Sequence, residues 1–154
     1  MTQMMVPPLT PRYGTHIPRV QPDILLRAKK TAASGMDAQT MRLQVISENL
    51  ANIHTTAPDP ESDPYRRRMV VFVHDKATGQ VHVSKIIKDP SDFRREHSPM
   101  NPAADEKGFV KLTNVDPLTE VVDLRQANQS FSACLKAYEA STDLDRKIVD
   151  LLRI

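Results

Sequence analysis

Five histidines are the residues of this chain whose type could bind a metal ion. His74 and His82 lie in neighbouring segments joined by a short loop, so they would face each other if the segments pair in that register. Zinc needs about four ligands, and His97 or a carboxylate would have to come from a separate loop. We therefore predict surface histidines and no metal site. A small metal-dependent or nucleotide-binding enzyme is the alternative from a different class.

The usual nucleophile and nucleotide motifs are missing from the sequence. It contains no GxSxG, P-loop, GxGxxG or HExxH pattern. The single cysteine, Cys134, lies in a segment with helical periodicity, where a small packing residue is more common than a reactive thiol. One cysteine also excludes an internal disulfide. We predict no catalytic residue and no cofactor.

Arg66, Arg67 and Arg68 form the densest run of charge. In a strand, Arg66 and Arg68 would point to one side and Arg67 to the other. Such arginines bind phosphate or carboxylate groups, or they line a solvated strand start and pair with the carboxylates at 59–63. Because aromatic residues make up only 5% of the chain and the formal net charge is +2, we predict no nucleic-acid binding.

Length and composition limit the architecture that positions these residues. A chain of 154 residues forms one ordinary domain, or a small domain with long arms. With 40% hydrophobic residues and no tryptophan, the core should be thin or shared with other chains. No apolar stretch approaches the roughly 20 residues of a membrane span, and we expect no cleaved secretion signal at the start.

Proline divides the chain, because its ring fixes φ and removes a backbone donor. None of the 12 prolines lies in 23–57 or 118–154. In the first of these segments, apolar residues at steps of three, four and seven predict a helix with one narrow seam. Its seam residues are Met36, Leu43, Ile46, Leu50 and Ile53. Asp23 is the predicted N-cap, and the helix should end near Asn52.

The second segment repeats the pattern. Asp116 before Pro117 predicts an N-cap with proline at the first helical position. The apolar stripe comprises Val121, Leu124, Asn128, Phe131, Leu135 and Tyr138, and continues slightly shifted through Leu144, Ile148, Leu151 and Leu152. Two seam positions in seven suit a coiled coil. We predict that the two helices pair with each other and leave further faces for other copies.

Between the helices the hydrophobic period changes to two. Segments 65–74 and 80–87 predict a β-hairpin, with Gly79 available for a positive φ in its loop. We predict a third strand at 109–112 and a polar surface loop at 89–107.

The predicted fold is therefore α+β, with long terminal helices that pair as a coiled-coil-like inner domain and a small hairpin-containing middle domain. It has four parts: a proline-rich extension (1–22), an N-terminal helical arm (23–57), a β-rich middle domain (58–115) and a C-terminal helical arm (116–154).

Two asparagines near the end of the first helix need a reason, because asparagine is a mediocre helix former. Asn49 and Asn52 are three residues apart and share a face beside Leu50. Either they cap a fraying helix end, or their amides bond across helices and fix the register between protomers.

The segment RLQVISENLAN at 42–52 resembles the SxNLAN signature of bacterial flagellar rod and hook proteins. Further matches are PYRR at 64–67, DP at 89–90, FRR at 93–95, ADEKGFV at 104–110, NV at 114–115 and EVVDL at 120–124. In this order they are similar to the proximal rod subunits of that family, over about residues 24–154. Another axial protein of the same family is the alternative, which the short middle domain disfavours.

The resemblance implies a non-enzymatic structural subunit of the basal-body proximal rod, located in the periplasm and delivered by the flagellar type III export apparatus. Such subunits polymerise helically into a drive shaft and export channel, with the helix pair around the channel and the β unit outside. The implied partners are other copies of the chain and neighbouring rod and basal-body proteins. The expected subunit-interface residues are Leu43, Ile46, Asn49, Leu50, Asn52, Ile53, Leu124, Phe131, Leu135, Tyr138 and Ile148. In isolation we expect partly disordered arms and a more persistent hairpin.

Overall fold

A computed structural model describes residues 22–153 of the chain as two long helices with a small β region between them. The elements are α1 (Pro22–Ala51), β1 (Arg68–His74), β2 (Val81–Lys88), β3 (Arg94–His97), β4 (Phe109–Leu112) and α2 (Pro117–Leu152). The strands form two antiparallel pairs, β1–β2 and β3–β4. The α+β fold with long terminal helices and a hairpin-containing middle is confirmed.

Helix α1 begins at Pro22, so Asp23 lies in its first turn and the N-cap predicted there is wrong. Proline suits the first helical position, because the N–H that it lacks would be unpaired there in any case. The carboxylate of Asp23 still interacts favourably with the positive end of the helix dipole. The end of α1 at Ala51 agrees with the prediction. The proline-rich extension predicted for 1–22 lies outside the described residues, apart from Pro22.

Helix α2 begins as predicted, with Asp116 as its N-cap. The backbone of Asp116 is extended (φ −101°, ψ 116°). Its carboxylate accepts hydrogen bonds from the Thr119 backbone N–H at 3.1 Å and from the Thr119 hydroxyl at 2.6 Å. These bonds hold the pKa of Asp116 below its ordinary value.

Replacing Asp116 by alanine should lower the melting temperature at neutral pH, because the backbone N–H of Thr119 would lose its acceptor. Asp116→Asn is the matched control, since an amide oxygen also caps. The cap's stabilisation is complete above the unfolded-state pKa of about 3.9 and is lost as pH falls through the lower folded value. Thermal unfolding followed by circular dichroism should therefore show a difference from the wild type that shrinks in acid. A pH-independent difference would contradict the charged cap.

The two helices pack against each other in antiparallel fashion. Lys29 near the start of α1 pairs with Asp145 near the end of α2. Arg42, further along α1, pairs with Asp123 at 3.2 Å. Between these points, a Cβ added at Gly35 would lie 2.8 Å from Cys134 Sγ, so the backbone of α1 passes close to this side chain. Cys134 is thus a small packing residue, as predicted.

The contact seam of α2 is not centred on the predicted stripe. Glu120, Ala127 and Ser141 are buried, and with Cys134 they recur every seven residues. The predicted stripe lies beside this seam, so Leu124 and Phe131 are only half-buried. Its members Val121, Leu135, Tyr138, Leu144 and Ile148 are 37–53% exposed. Because α1 approaches so closely, small side chains occupy the seam and most of the large apolar ones turn away from it.

Helix α1 is covered on two sides, so the prediction of one narrow seam is wrong. Val45 and Asn49 are buried although both lie off the predicted stripe. The reason is the β1–β2 hairpin, which runs back along α1. The Ser34 hydroxyl accepts a hydrogen bond from the Val81 backbone N–H at 3.1 Å and donates one to the Thr31 carbonyl at 2.9 Å.

The hairpin agrees with the prediction, apart from strand ends displaced by one to three residues. Gly79 has φ 76° in the connecting loop, which a residue with a side chain rarely adopts. The β4 strand is confirmed. The loop predicted for 89–107 is wrong at Arg94–His97, which forms β3 and pairs with β4. All four residues of β3 are polar and exposed, so no alternation marked it.

The core of the described residues is thin. It contains ten buried hydrophobic side chains, of which five are alanines. The largest fully buried side chain is that of Glu120, a charged residue. Since an unpaired buried charge is very costly, the surroundings of Glu120 should show what organises this fold.

Candidate functional site

Glu120 lies in the first turn of α2, where the helix dipole favours a negative charge. Its side chain is 0% exposed. One carboxylate oxygen accepts a hydrogen bond from Arg67 Nε at 2.5 Å, and the other accepts one from Asn49 Nδ2 at 3.1 Å. The buried charge is therefore paired and hydrogen-bonded, and it joins α2 to α1 and to the start of β1.

Arg67 is the cation of this cluster. Besides Glu120 it contacts Asp123 at 3.1 Å and Asp89 at 3.4 Å, and its side chain is 15% exposed. Burial alone lowers the pKa of Arg67, but the hydrogen bond and charge of Glu120, together with Asp89 and Asp123, outweigh burial and raise the pKa. The guanidinium therefore stays charged, and it links the α2 start to the loop after β2.

Asn49 uses its whole side-chain amide. Nδ2 donates to the Arg68 carbonyl at 2.9 Å and to Glu120, while Oδ1 accepts from the Arg68 backbone N–H and from the Tyr65 hydroxyl, both at 2.9 Å. Two donors and two accepting positions are the full capacity of an amide. Burial is the main cause that raises the pKa of Tyr65, which keeps its hydroxyl protonated as a donor. The amide of Asn49 thus binds both the N–H and the carbonyl of Arg68, as the backbone of a neighbouring strand would.

We call Asn49, Tyr65, Arg67, Glu120 and Asp123 the polar junction. It selects between the two hypotheses for the asparagines. Asn49 bonds across helices, to Glu120 of α2 in the same chain. Asn52 instead donates to the Glu48 carbonyl at 2.7 Å, which is a local bond at the end of α1.

The arginine run divides as its alternation predicts. Arg67 points inward, while Arg68 pairs with Glu48 at 3.3 Å on the outside. Arg66 places its guanidinium carbon 4.1 Å from the centroid of the Phe93 ring and donates to backbone carbonyls of the loop after β2. Among residues 22–153, this run forms no ion pair with the carboxylates at 59–63. Arg67 and Arg68 pair instead with carboxylates from elsewhere in the chain, and Arg66 binds backbone carbonyls.

The histidines do not form the pair that a metal site required. In the hairpin register His74 lies opposite Val81, and His82 lies opposite Val73, so the two histidines point to opposite faces. The ring of His97 contacts Phe109 edge to face, with centroids 5.1 Å apart. Within 22–153, no three His, Cys, Asp or Glu side chains are placed to hold a metal ion.

Neither helix within the described part of the chain is long and apolar enough to cross a membrane. Helix α2 nevertheless presents a row of apolar side chains, which we call the outer stripe: Val121, Leu124, Phe131, Leu135 and Tyr138. Leu144, Ile148, Leu151 and Leu152 form a second exposed apolar group, the terminal cluster, at the end of the helix.

The predicted interface residues fall into three groups by exposure. Ile46 and Asn49 are buried inside the chain, at 4% and 1% exposure. The half-buried group consists of Leu43, Leu50, Asn52, Ile53, Leu124 and Phe131. Leu135, Tyr138 and Ile148 are exposed.

The sequence interpretation missed Glu120, Arg67 and Asp123 as one site. The spacing offered one signal, because Glu120 occupies the same heptad position as Ala127, Cys134 and Ser141. A carboxylate at a position otherwise filled by small packing residues would be buried, and a buried carboxylate needs a cation from the same chain to pair with it.

Two protein families match the two ends of the chain. The family described as "Flagella basal body rod protein" matches residues 30–58, which include Asn49. The family described as "Flagellar basal body rod FlgEFG protein C-terminal" matches residues 106–151, which include Glu120. The two helical partners of the polar junction therefore lie one in each matched region.

Individual relatives cover most of the chain. The flagellar basal-body rod protein FlgC of Agrobacterium fabrum is 42% identical over 135 residues, which is 85% of this chain and 97% of that protein. The FlgC of Bacillus subtilis is 35% identical over 139 residues, covering 78% of this chain and 93% of that protein. The FlgC of Salmonella typhimurium is 34% identical over 131 residues, covering 82% and 97% respectively.

Proposed function

Since the chain belongs to the FlgC family of flagellar basal-body rod proteins, we propose that it assembles into the rod through helix faces that the isolated subunit leaves exposed. The chain is a structural subunit of the flagellar basal-body rod, and the rod is its location. The proposal concerns how the subunit polymerises, which of its surfaces make the contacts, and how it reaches the rod.

The outer stripe of α2 is the observation that carries this proposal. Val121, Leu135 and Tyr138 are 53%, 39% and 37% exposed in a chain whose own core is thin. Scattered exposed apolar residues are normal, but the half-buried Leu124 and Phe131 lie between these three on one side of α2, and an apolar row of this kind marks an interaction surface. Helices with apolar residues at heptad spacing pack seam to seam. The stripe therefore suits a helix of a neighbouring subunit.

The terminal cluster extends the proposed contact. Leu151 and Leu152 are 72% and 81% exposed, beyond Asp145, the last α2 residue that pairs with α1. The proposed contact set is Leu124, Phe131, Leu135, Tyr138 and Ile148 on α2, bordered by Leu43, Leu50, Asn52 and Ile53 on α1. A stripe and a terminal cluster on one helix are different surfaces, as the heterologous contacts of an open helical polymer require.

The partners in this proposal are other copies of the chain and neighbouring rod and basal-body proteins. The helix pair lies inside, around the export channel, and the β region lies outside, so that the polymer serves as both drive shaft and conduit. Delivery is through the flagellar type III export apparatus as an unfolded chain. A single cysteine and a thin core support passage in that form.

A catalytic role is not part of the proposal. Asn49, Arg67 and Glu120 satisfy one another inside the chain, and Glu120 is not open to a substrate. The junction instead sets how α2 docks on α1 and β1.

A charged side chain on the outer stripe tests the proposal. Leu135→Lys should leave the subunit folded and prevent its incorporation into the rod. Normal incorporation of a folded Leu135→Lys subunit would contradict the proposed contact.

A further inference from the structure

The β1–β2 hairpin carries more apolar surface than residues 22–153 cover. None of its nine apolar side chains is buried, and Val73 is 51% exposed. One face carries Phe72 and Val83, which line clefts of about 330 and 440 Å³ against α1. That face packs on the helix, and no other element of the described residues packs on the opposite face.

The open face, which we call the outer hairpin face, is basic as well as apolar. The register pairs Val71 with Lys85 and Val73 with His82, so these four residues share one side of the hairpin. Lys76 follows in the connecting loop. Lys76 and Lys85 are exposed, and neither takes part in an ion pair within residues 22–153. A partner of this face should therefore be acidic.

A surface of that charge lies elsewhere on the same molecule. Asp59, Glu61, Asp105 and Glu106 line a cleft of about 590 Å³ together with Pro60 and Ala104. All four acidic side chains are exposed. None of them belongs to an ion pair of the described chain. We call this the acidic cleft.

The two surfaces lie at different ends of the molecule. The hairpin loop contacts the start of α1, where Arg27 donates to the Ala77 carbonyl at 3.5 Å. The acidic cleft lies past the end of that helix. Its residues 59–61 follow Ala51 in the chain. The Thr113 hydroxyl, just after β4, donates to the Ile53 carbonyl at 3.2 Å and so holds β4 near the same end. The 24 residue steps along α1 from Arg27 to Ala51 (51 − 27) span about 36 Å. Within one copy the surfaces are too far apart to meet.

We propose that the outer hairpin face of one subunit docks against the acidic cleft of a second copy of this chain. The inference rests on the proposed assembly into the rod and identifies a second contact within it. Complementary charge selects and orients the partner, while Val71 and Val73 lose contact with water. Because the two surfaces differ, the contact is heterologous and repeats from one copy to the next without closing on itself.

A charge swap tests this contact in a strain that lacks its own gene for this chain and is complemented with variants. The hairpin reversal is Lys76→Glu with Lys85→Glu, and the cleft reversal is Asp59→Lys with Glu61→Lys and Glu106→Lys, which leaves the cleft with three lysines and one carboxylate. Each reversal alone should reduce swimming and the amount of the chain in purified basal bodies, because like charges would then meet. The two reversals combined in one chain should restore both readouts, since every subunit then carries both swapped surfaces.

Asp92→Lys is the matched control, because Asp92 is an exposed carboxylate outside the cleft. It should leave swimming unchanged. Normal swimming of either reversal would overturn the inference. Reversals that block swimming without mutual rescue would also overturn it, because the partner would then be a different protein. Leu135→Lys is run alongside: if it stops assembly while the reversals do not, the proposed function stands and only the inference fails.

Discussion

Replacing Arg67 by methionine should lower the free energy of unfolding by about 3–5 kcal/mol, the usual cost of removing one partner of a buried ion pair. Glu120 would remain fully buried, with Asn49 as its one remaining hydrogen-bond donor. Asp123 and Asp89, which are only partly exposed, would lose the same cation. Urea unfolding followed by circular dichroism at neutral pH measures the change.

Two controls separate the buried charge from the loss of a side chain. Arg68→Met removes the adjacent arginine, whose pair with Glu48 is exposed, and should cost at most about 1 kcal/mol. Arg67→Met combined with Glu120→Gln should recover much of the loss, because an amide can still accept from Asn49 and carries no charge to bury. If Arg67→Met cost no more than Arg68→Met, the junction would not organise the fold as described.

Leu135→Lys should abolish swimming while changing the stability of the isolated subunit by no more than about 1 kcal/mol, as surface substitutions usually do. Leu135 is 39% exposed, so the lysine stem can lie over the same surface with its ammonium group in water. In the rod, the same ammonium group would be buried against a neighbouring helix without a partner.

Gln129→Lys is the matched control for the outer stripe. It adds the same charge to an exposed position on the side of α2 away from α1. Swimming in soft agar and the content of the chain in purified basal bodies are the readouts. Equal losses of swimming in Leu135→Lys and Gln129→Lys would show that α2 tolerates no added charge on either side. The outer stripe would then not be a specific contact surface.

The long elements were predictable because their signals are local. Apolar residues at steps of three and four, the absence of proline and the Asp116–Pro117 cap mark α1 and α2 without knowledge of the rest of the chain. Alternation and Gly79 mark the hairpin in the same way. The strand at Arg94–His97 was missed, since four exposed polar residues form it only through hydrogen bonds to β4.

The faces of the helices were harder to predict than their ends. The sequence predicts that the large apolar residues of α2 lie in the seam with α1, because a chain that forms its own core buries such residues there. Here the seam uses Ala127, Cys134 and Ser141, because α1 passes closely at Gly35. The apolar stripe beside it is the surface that we assign to neighbours. Sequence alone does not distinguish a core within a subunit from one between subunits.

The polar junction depends on contacts between distant parts of the chain. Asn49 and Glu120 are separated by 71 residues, and Arg67 and Glu120 by 53. The asparagine and the arginine run each stood out in the sequence, but nothing local joined them. Only the packing of three elements places the carboxylate between them.

Hydrogen exchange tests most directly whether the exposed apolar faces of the helices become buried when the subunit assembles into the rod. The backbone amides of 23–53 and 118–152 are compared between the isolated chain and the chain in purified basal bodies. In the isolated chain, protection should be confined to amides near the polar junction, and the basal body should protect both helices strongly, with the largest gain along the outer stripe and terminal cluster of α2. Equal protection of both helices in the two samples would contradict the account, because the subunit would then be complete without its neighbours.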